Sequence, residues 1–244
     1  MPGLLLKLVV AHLAGDYLLQ TDQDAAGKRK WSVLARHTGV HGLLVAGVAI
    51  TEPRHAGAWY LGLALLVLSH AMIDAATSRW TSAGLQRLVV DQSLHLLAIA
   101  GLVYGTVPAE LGAAQAWGAA WMERRELWWH AAGLLASIWV GGVVVGIAVR
   151  PYARAELKSG ETRPGLARAG RTIGYCERAL IYLFMVTDLQ ALIGFVIAAK
   201  ALMRLPEARD PVSRESSEYY LIGTLLSIVW AVCWGFLIRA ALRP

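Results

Sequence analysis

Seven apolar stretches, separated by short polar segments, run along the chain, and each predicts a helix. The predicted helices cover residues 3–20, 34–51, 59–77, 87–106, 128–149, 178–200 and 219–240. A helix needs about 20 residues to cross a hydrocarbon core of about 30 Å, and these stretches approach that length. The pattern therefore predicts an all-α, polytopic membrane helix bundle with about seven spans. The first stretch contains Lys7, so we expect it to be short, tilted or re-entrant.

The composition favours a membrane protein over a soluble domain. Of the 244 residues, 57% are hydrophobic and 16% are charged, and the mean hydropathy is +0.49. Soluble domains carry about 25% charged residues. The net charge of +6 arises in short loops, so we expect no nucleic-acid partner. Cys176 and Cys233 lack the CxxC spacing of a thiolate zinc site.

Loops rich in Lys and Arg alternate along the chain with balanced or slightly acidic loops. The basic segments are 21–36, 78–87, 150–171 and the C-terminal end. Because basic loops remain in the cytoplasm, the alternation predicts an outside N-terminus and a cytoplasmic C-terminus.

The same pattern divides the chain into an N-terminal half, which carries most of the candidate site residues, and a C-terminal part. The predicted parts are a four-helix half that carries His and Asp ligands (1–106), an outer interfacial segment (107–127), a fifth helix (128–149), a basic cytoplasmic linker (150–177) and a C-terminal helix pair (178–244).

Four pairs of ionisable residues occur within the first hundred positions, and in each pair the members are four residues apart. The pairs are His12 and Asp16, His37 and His41, His70 and Asp74, and Asp91 and His95. This spacing places both side chains of a pair on one face of a helix. In the predicted topology all four pairs lie near the cytoplasmic face. Ionisable groups inside a bilayer cost about 2.5–3.5 kcal/mol each on insertion scales, so a shared function is expected.

Five imidazoles and three carboxylates exceed the four ligands of one tetrahedral zinc ion. They suit two divalent ions, for which zinc is the leading expectation and manganese or iron are alternatives. Two such ions convert a bound water to hydroxide. They also stabilise the attacking and the leaving oxygen of a displacement reaction. A proton or ion pathway and a structural polar core also remain open.

Further polar residues complete the expected site. We expect catalytic roles for the carboxylates of Asp16, Asp74, Asp91 and Glu177, the last as a proton acceptor. Basic side chains that could hold a substrate phosphate are Lys28 and Arg178. Polar residues that could orient the ligands are Gln20, Asp22 and Gln92.

Two strings in the chain resemble a known family. They are His12-Leu-Ala-Gly-Asp16-Tyr-Leu-Leu-Gln20-Thr-Asp22, followed by Lys28 and the His37/His41 pair, and Gly170-Arg-Thr-Ile-Gly174-Tyr-Cys-Glu177-Arg178. Both resemble the bacterial membrane-protein family known as domain of unknown function 3307. The resemblance implies a bacterial inner-membrane location and no established reaction. The paired His and Asp residues also resemble, as an analogy, those of bacterial membrane-bound metal-dependent hydrolases.

These patterns favour an intramembrane metal-dependent enzyme, and most of all a hydrolase. We expect it to act from the cytoplasmic leaflet on a lipid or lipid-linked phosphate through a metal-activated hydroxide. The alternatives are a di-iron lipid oxidoreductase and a metal-ion or proton transporter. The expected partner is membrane lipid, and a homo-oligomer is possible.

Overall fold

The described part of the protein consists of helices joined by turns and short loops. A computed structural model describes residues 2–51, 57–80, 84–106, 125–152, 164–208 and 214–243. No strand occurs in these ranges, which confirms the all-α prediction. Five helices there are long and apolar enough to cross a membrane: Trp31–Thr51, Gly57–Thr77, Leu85–Gly105, Arg125–Val149 and Tyr220–Leu242. The structure thus supports a polytopic membrane protein, but the predicted count of seven spans is not confirmed.

The helices follow the predicted apolar stretches in the N-terminal part of the chain. Their bounds are α1 Pro2–Leu13, a π-turn at Ala14–Leu18, α2 Asp22–Gly27, α3 Trp31–Thr51, α4 Gly57–Thr77, α5 Leu85–Thr106 and α6 Arg125–Leu135. The remaining elements are a second π-turn at Ala136–Val140, α7 Gly141–Val149, α8 Pro164–Val186, a 3-10 turn at Gln190–Leu192, α9 Ile193–Ala208 and α10 Arg214–Leu242. Most of the predicted outer segment, 107–124, lies outside the described residues.

The chain divides into two compact units, Met1–Leu135 and Ala136–Pro244. In the first unit, α1, α3, α4 and α5 share an apolar core that includes Leu8, Val45, Trp59, Leu66 and Ile99. Lys7 is buried in this unit, with its Nζ atom 3.3 Å from Thr51 Oγ1 and 5.7 Å from the centre of the Trp128 ring. A buried amine with these contacts explains how the first helix accommodates a charge.

The predicted single helix over 178–200 is wrong. Helix α8 begins earlier, at Pro164, so residues 164–177 of the predicted linker are helical, and it ends at Val186. Asp188 then adopts a left-handed backbone with φ of 64°, and α9 starts at Ile193. The chain reverses there, because Lys200 Nζ returns to within 2.5 Å of Glu177 Oε2.

This reversal also changes the direction of the last helix within the second unit. Trp230 Nε1 of α10 donates to Ala136 O at 2.9 Å, and a Cβ atom at Gly223 would lie 3.5 Å from Val149. Helix α10 therefore runs antiparallel to the helix that ends at Val149. The predicted topology made these two helices parallel, with a cytoplasmic C-terminus, and that relative direction is wrong because the chain reverses between α8 and α9.

Candidate metal centre

The four predicted pairs lie together in the first unit, one pair on each of four helical segments. The segments are α1 with its π-turn, α3, α4 and α5. All eight side chains are buried or nearly so, the most exposed being Asp91 at 15%. We refer to them as the His/Asp cluster: His12, Asp16, His37, His41, His70, Asp74, Asp91 and His95. The four-residue spacing in the sequence thus identified a set of residues that the fold brings together.

Asp16 occupies the centre of the His/Asp cluster. Its Oδ1 atom lies 3.1 Å from the Nε2 atoms of both His37 and His41, and 3.9 Å from His70 Nε2. Its Oδ2 atom lies 3.5 Å from His12 Nε2. The two oxygens of one carboxylate therefore face different histidines.

Asp16 lies within the π-turn at Ala14–Leu18, which sets its position relative to the histidines. Such turns widen a helix by one residue and frequently occur at functional sites. Gly15 lies directly against His41, since a Cβ atom at this position would be 2.4 Å from His41 Nε2. Gly15 was not recognised from the sequence, although its place beside Asp16 was a possible signal.

Asp74 forms a second point of convergence. Its Oδ2 atom lies 3.3 Å from the Nε2 atoms of His37 and His70, which are themselves 3.2 Å apart. Its Oδ1 atom accepts a hydrogen bond of 2.9 Å from Lys28 Nζ. Asp74 is 1% exposed, so the ammonium of Lys28 compensates a buried negative charge. Lys28 therefore contacts a carboxylate of the cluster. Its predicted role, the binding of a substrate phosphate, stays a prediction.

The pair on α5 is oriented by its own helix and by a neighbour. His95 Nδ1 lies 2.9 Å from Asp91 O, and because a carbonyl only accepts, this nitrogen carries the proton. His95 Nε2 is then left with a lone pair, and it is buried with no hydrogen-bond partner among the described residues. Thr77 Oγ1 donates to Asp91 Oδ1 at 2.5 Å. Thr77 was missed, although it lies about one turn after Asp74.

The predicted orienting residues Gln92 and Gln20 contact the cluster. Gln92 Nε2 donates to Asp16 Oδ2 at 3.1 Å and to Asp91 Oδ2 at 3.0 Å, and its Oε1 lies 3.1 Å from His12 Nε2. Gln20 Nε2 lies 3.3 Å from His37 Nδ1. Asp22 is exposed in the first turn of α2.

The short segment around α2 lies against one side of the cluster. It is attached there by Lys28 and by Arg29, whose Nε atom donates to Ser78 O at 3.0 Å. Thr21 caps α2 by accepting from Asp24 N at 3.1 Å. The hydrogen bond from the Thr21 hydroxyl, together with nearby Arg36, holds the pKa of Asp24 below its usual value. The side chains of Thr21 and Asp24 thus bond to each other across the first turn of α2.

A small cavity of about 20 Å³ lies beside the cluster. It is lined by the imidazoles of His12, His41, His70 and His95 and by Ser69. Its walls are formed by the aliphatic side chains of Leu8, Val45, Leu66, Val67, Ala98 and Ile99. The histidines thus border a polar layer on one side and hydrocarbon on the other.

Three overlapping groups of ligand atoms in the cluster lie close enough to share an ion. They are His12, Asp16, His41 and His70; His37, His70 and Asp74; and Asp16, Asp91 and His95, with all atoms of a group within 4.8 Å of one another. Buried nitrogen and carboxylate ligands of this kind suit zinc, iron or manganese. The arrangement is therefore chemically able to hold more than one divalent ion.

Glu177 and Arg178 belong to the second unit and have protein partners there. Arg178 Nε donates to Ile138 O at 3.1 Å, and its Nη1 donates to Ser227 Oγ at 3.0 Å. Ile138 lies in the second π-turn, and Arg178 supplies a donor to one of the carbonyls of that turn. Glu177 pairs with Lys200. These contacts give both residues a packing role, and their predicted substrate roles stay predictions.

Comparison with known proteins assigns to a family the part of the chain that carries the cluster. Residues 4–123 match the family model described as protein of unknown function (DUF3307). Residues 4–123 therefore form a DUF3307 domain. The match confirms the resemblance of the His12–Asp22 string, whereas the string at 170–178 lies outside the matched residues. No curated protein and no solved structure matched the chain.

Proposed function

We propose that this DUF3307 protein is an intramembrane metal-dependent enzyme, most consistent with a hydrolase of lipids or lipid-linked phosphates. The observation that carries the proposal is the convergence of His37, His41 and His70 on Asp16 and Asp74 inside a helix bundle. Burying so many ionisable groups in an apolar unit is costly unless they are paired or bind metal.

The position of Asp16 supports two ions rather than one. Its Oδ1 atom faces His37 and His41, and its Oδ2 atom faces His12, so the carboxylate is placed to bridge two ligand groups. Asp16 belongs to two of the three ligand groups: one would hold an ion with His12, His41 and His70, and the other with Asp91 and His95. Zinc fits this donor set best, and manganese and iron fit it as well.

The chain's own residues would prepare the site in three ways. Two ions held there would supply a water activated near neutral pH and would polarise the substrate. Gln92, which already contacts Asp16 and Asp91, would keep both carboxylates oriented. The aliphatic walls of the cavity would exclude bulk water from the reacting group.

A di-iron oxidoreductase acting on acyl chains is the second candidate. The aliphatic side chains packed beside four of the imidazoles favour it, because such an enzyme must bring a hydrocarbon chain to its metals. A bound metal that is iron, with visible absorption, would select this function over hydrolysis.

The proposal is tested by comparing the purified protein with Asp16→Asn, which keeps the shape of the side chain and removes its charge. Activity would be measured as fatty acid or phosphate released from a bacterial lipid extract. We expect the variant to lose metal affinity and activity by more than about 100-fold, since contacts outside the ligand set alone account for 10–100-fold. An Asp16→Asn protein that keeps both metal and activity would refute the proposal.

A control for general damage is Asp24→Asn, which removes a carboxylate from the exposed α2 segment of the same unit. This variant should keep its metal and its activity. An equal loss in Asp24→Asn and Asp16→Asn would show that the effect of Asp16→Asn is not specific to the cluster.

A further inference from the structure

An arginine lies one helical turn before the first cluster residue of α5. Arg87, Asp91 and His95 follow one another at four-residue spacing, so they lie along one face of this helix. Exposure falls along that face, because Arg87 is half-buried, Asp91 is 15% exposed and His95 is 2% exposed. The face therefore leads from the surface of the unit to the cluster, with Arg87 at its outer end.

The guanidinium of Arg87 differs from other basic groups of the first unit in its contacts. Lys28 pairs with Asp74, and Arg79 donates to Ala75 O at 2.6 Å. The side chain of Arg87, in contrast, makes no hydrogen bond, ion pair or ring contact within the part of the chain that the structure describes. A half-buried guanidinium has lost part of its hydration, which is costly unless another group accepts its hydrogen bonds. Arg87 is therefore suited to bind an anionic ligand.

The ligand group on the same helix face leaves a coordination position open. Asp16, Asp91 and His95 supply three ligand atoms, whereas zinc in catalytic sites takes three protein ligands and a water or substrate as the fourth. The lone pair of His95 Nε2 is available to such an ion. Asp91 is the most exposed of the three, so a ligand reaches this group from the side on which Arg87 lies.

We propose that Arg87 binds the phosphate group of the substrate, while another oxygen of that phosphate reaches the ion held at Asp91. This inference rests on the proposed function and narrows it, because it selects a substrate that carries phosphate over a carboxylic ester without one. Arg87 and Asp91 are separated by about 6 Å along the helix axis, and they make no ion pair with each other in the structure. A tetrahedral phosphate can span this separation, since its oxygens point in different directions. The planar guanidinium can donate to two of them at once.

The test measures binding of phosphate by the zinc-loaded, full-length protein in phosphatidylcholine nanodiscs. Inorganic phosphate is titrated by calorimetry, and phosphatidic acid bound from mixed nanodiscs is quantified by native mass spectrometry. We expect Arg87→Met to weaken binding about 10–100-fold, the effect of losing hydrogen bonds between charged groups. An Arg87-dependent affinity for both probes would support recognition of phosphate itself, and one for phosphatidic acid alone would support recognition of a lipid headgroup.

Two further variants make the comparison specific. Lys30→Met removes one positive charge from an exposed residue of the same unit and should bind phosphate as the wild type does. Arg87→Lys keeps the charge without the planar fork and should recover part of the affinity. Equal affinities of the wild type and Arg87→Met for both probes, or an equal loss in Lys30→Met, would overturn the inference.

The zinc content of the same samples separates this inference from the proposed function. Zinc retained in Arg87→Met together with weaker phosphate binding would support both. Zinc retained with unchanged phosphate binding would overturn the inference and leave the proposed function standing. Loss of zinc in Arg87→Met would also overturn the inference, because Arg87 would then stabilise the ligand set. Arg87-dependent phosphate binding by a wild type that binds no zinc would support the phosphate site and refute the metalloenzyme.

Discussion

At the scale of single residues, the geometry of the cluster depends on residues that are not proposed ligands. Gly15 provides the space that His41 occupies, Gln92 holds two carboxylates, and Lys28 compensates Asp74. Each acts by positioning or by charge. Substitutions at these positions test the geometry without removing any proposed ligand.

Gly15→Ala should displace His41, because the added Cβ atom would lie 2.4 Å from His41 Nε2. We expect about a 10–100-fold loss of metal affinity, the range seen when groups that orient ligands are removed. Metal titration followed by calorimetry would measure it. The matched control is Gly39→Ala on α3, where a Cβ atom meets nothing within 4 Å. Equal affinities in the two variants would contradict the described contact.

Lys28→Met should leave the carboxylate of Asp74 buried without its cation. Breaking a buried pair in this way costs about 3–5 kcal/mol, so the metal-free protein should unfold at a lower temperature. A divalent ion bound by Asp74 would restore the charge balance, and the rise in Tm on adding zinc should therefore exceed that of the wild type. Arg29→Met, which affects an exposed side chain bonded to Ser78, is the control. An unchanged Tm of metal-free Lys28→Met would contradict this role.

At the scale of elements, the decisive features are interruptions in otherwise regular helices. The π-turn at Ala14–Leu18 orients Asp16, and the break after Val186 separates α8 from α9. The apolar pattern alone predicts uninterrupted helices, because the residues around both features remain largely apolar. Thr187, Asp188 and Gln190 interrupt this apolar stretch with polar side chains, a signal of the break that the sequence analysis did not use.

The break between α8 and α9 predicts a short distance across the hairpin. Spin labels are attached at the exposed positions Leu180 and Ile197 in a protein without its two native cysteines. Their separation should be about 8–10 Å, the distance between neighbouring helix axes, plus the length of the label arms. One continuous helix would separate them by about 26 Å. Labels at Leu221 and Leu237 of α10 calibrate the measurement at about 24 Å. A Leu180–Ile197 distance near the α10 value would contradict the hairpin.

At the scale of the whole molecule, the sequence predicted the class of fold and the membership of the cluster more successfully than the path of the C-terminal part. The His and Asp pairs were identifiable because four-residue spacing fixes a helix face, and because a charge in an apolar stretch is costly unless it has a partner or a ligand. Which pairs share an ion depends on helix packing, which spacing alone does not contain. The direction of α10 was wrong because one unrecognised reversal inverts every later helix.

The corrected path predicts that residues 152 and 243 lie on opposite sides of the membrane. Helix α10 runs antiparallel to the helix ending at Val149, so its C-terminal end lies away from Tyr152. In a protein without Cys176 and Cys233, single cysteines are introduced as Tyr152→Cys and Arg243→Cys, both at exposed positions. They should react with a membrane-impermeant maleimide from opposite sides, one in right-side-out vesicles and the other in inverted vesicles. Reaction of both cysteines from the same side would contradict the antiparallel arrangement and support the parallel topology predicted from the sequence.

The most direct test of the metalloenzyme proposal is the metal content of the purified protein, measured by mass spectrometry. We expect about two equivalents of zinc, manganese or iron per chain in the wild type. The double variant His37→Ala/His41→Ala should lose most of this metal. His130→Ala, which alters a histidine of α6 outside the cluster, should retain all of it. A folded wild type that binds no divalent metal even after reconstitution would contradict the metal centre and leave the cluster as a polar packing network or a proton pathway.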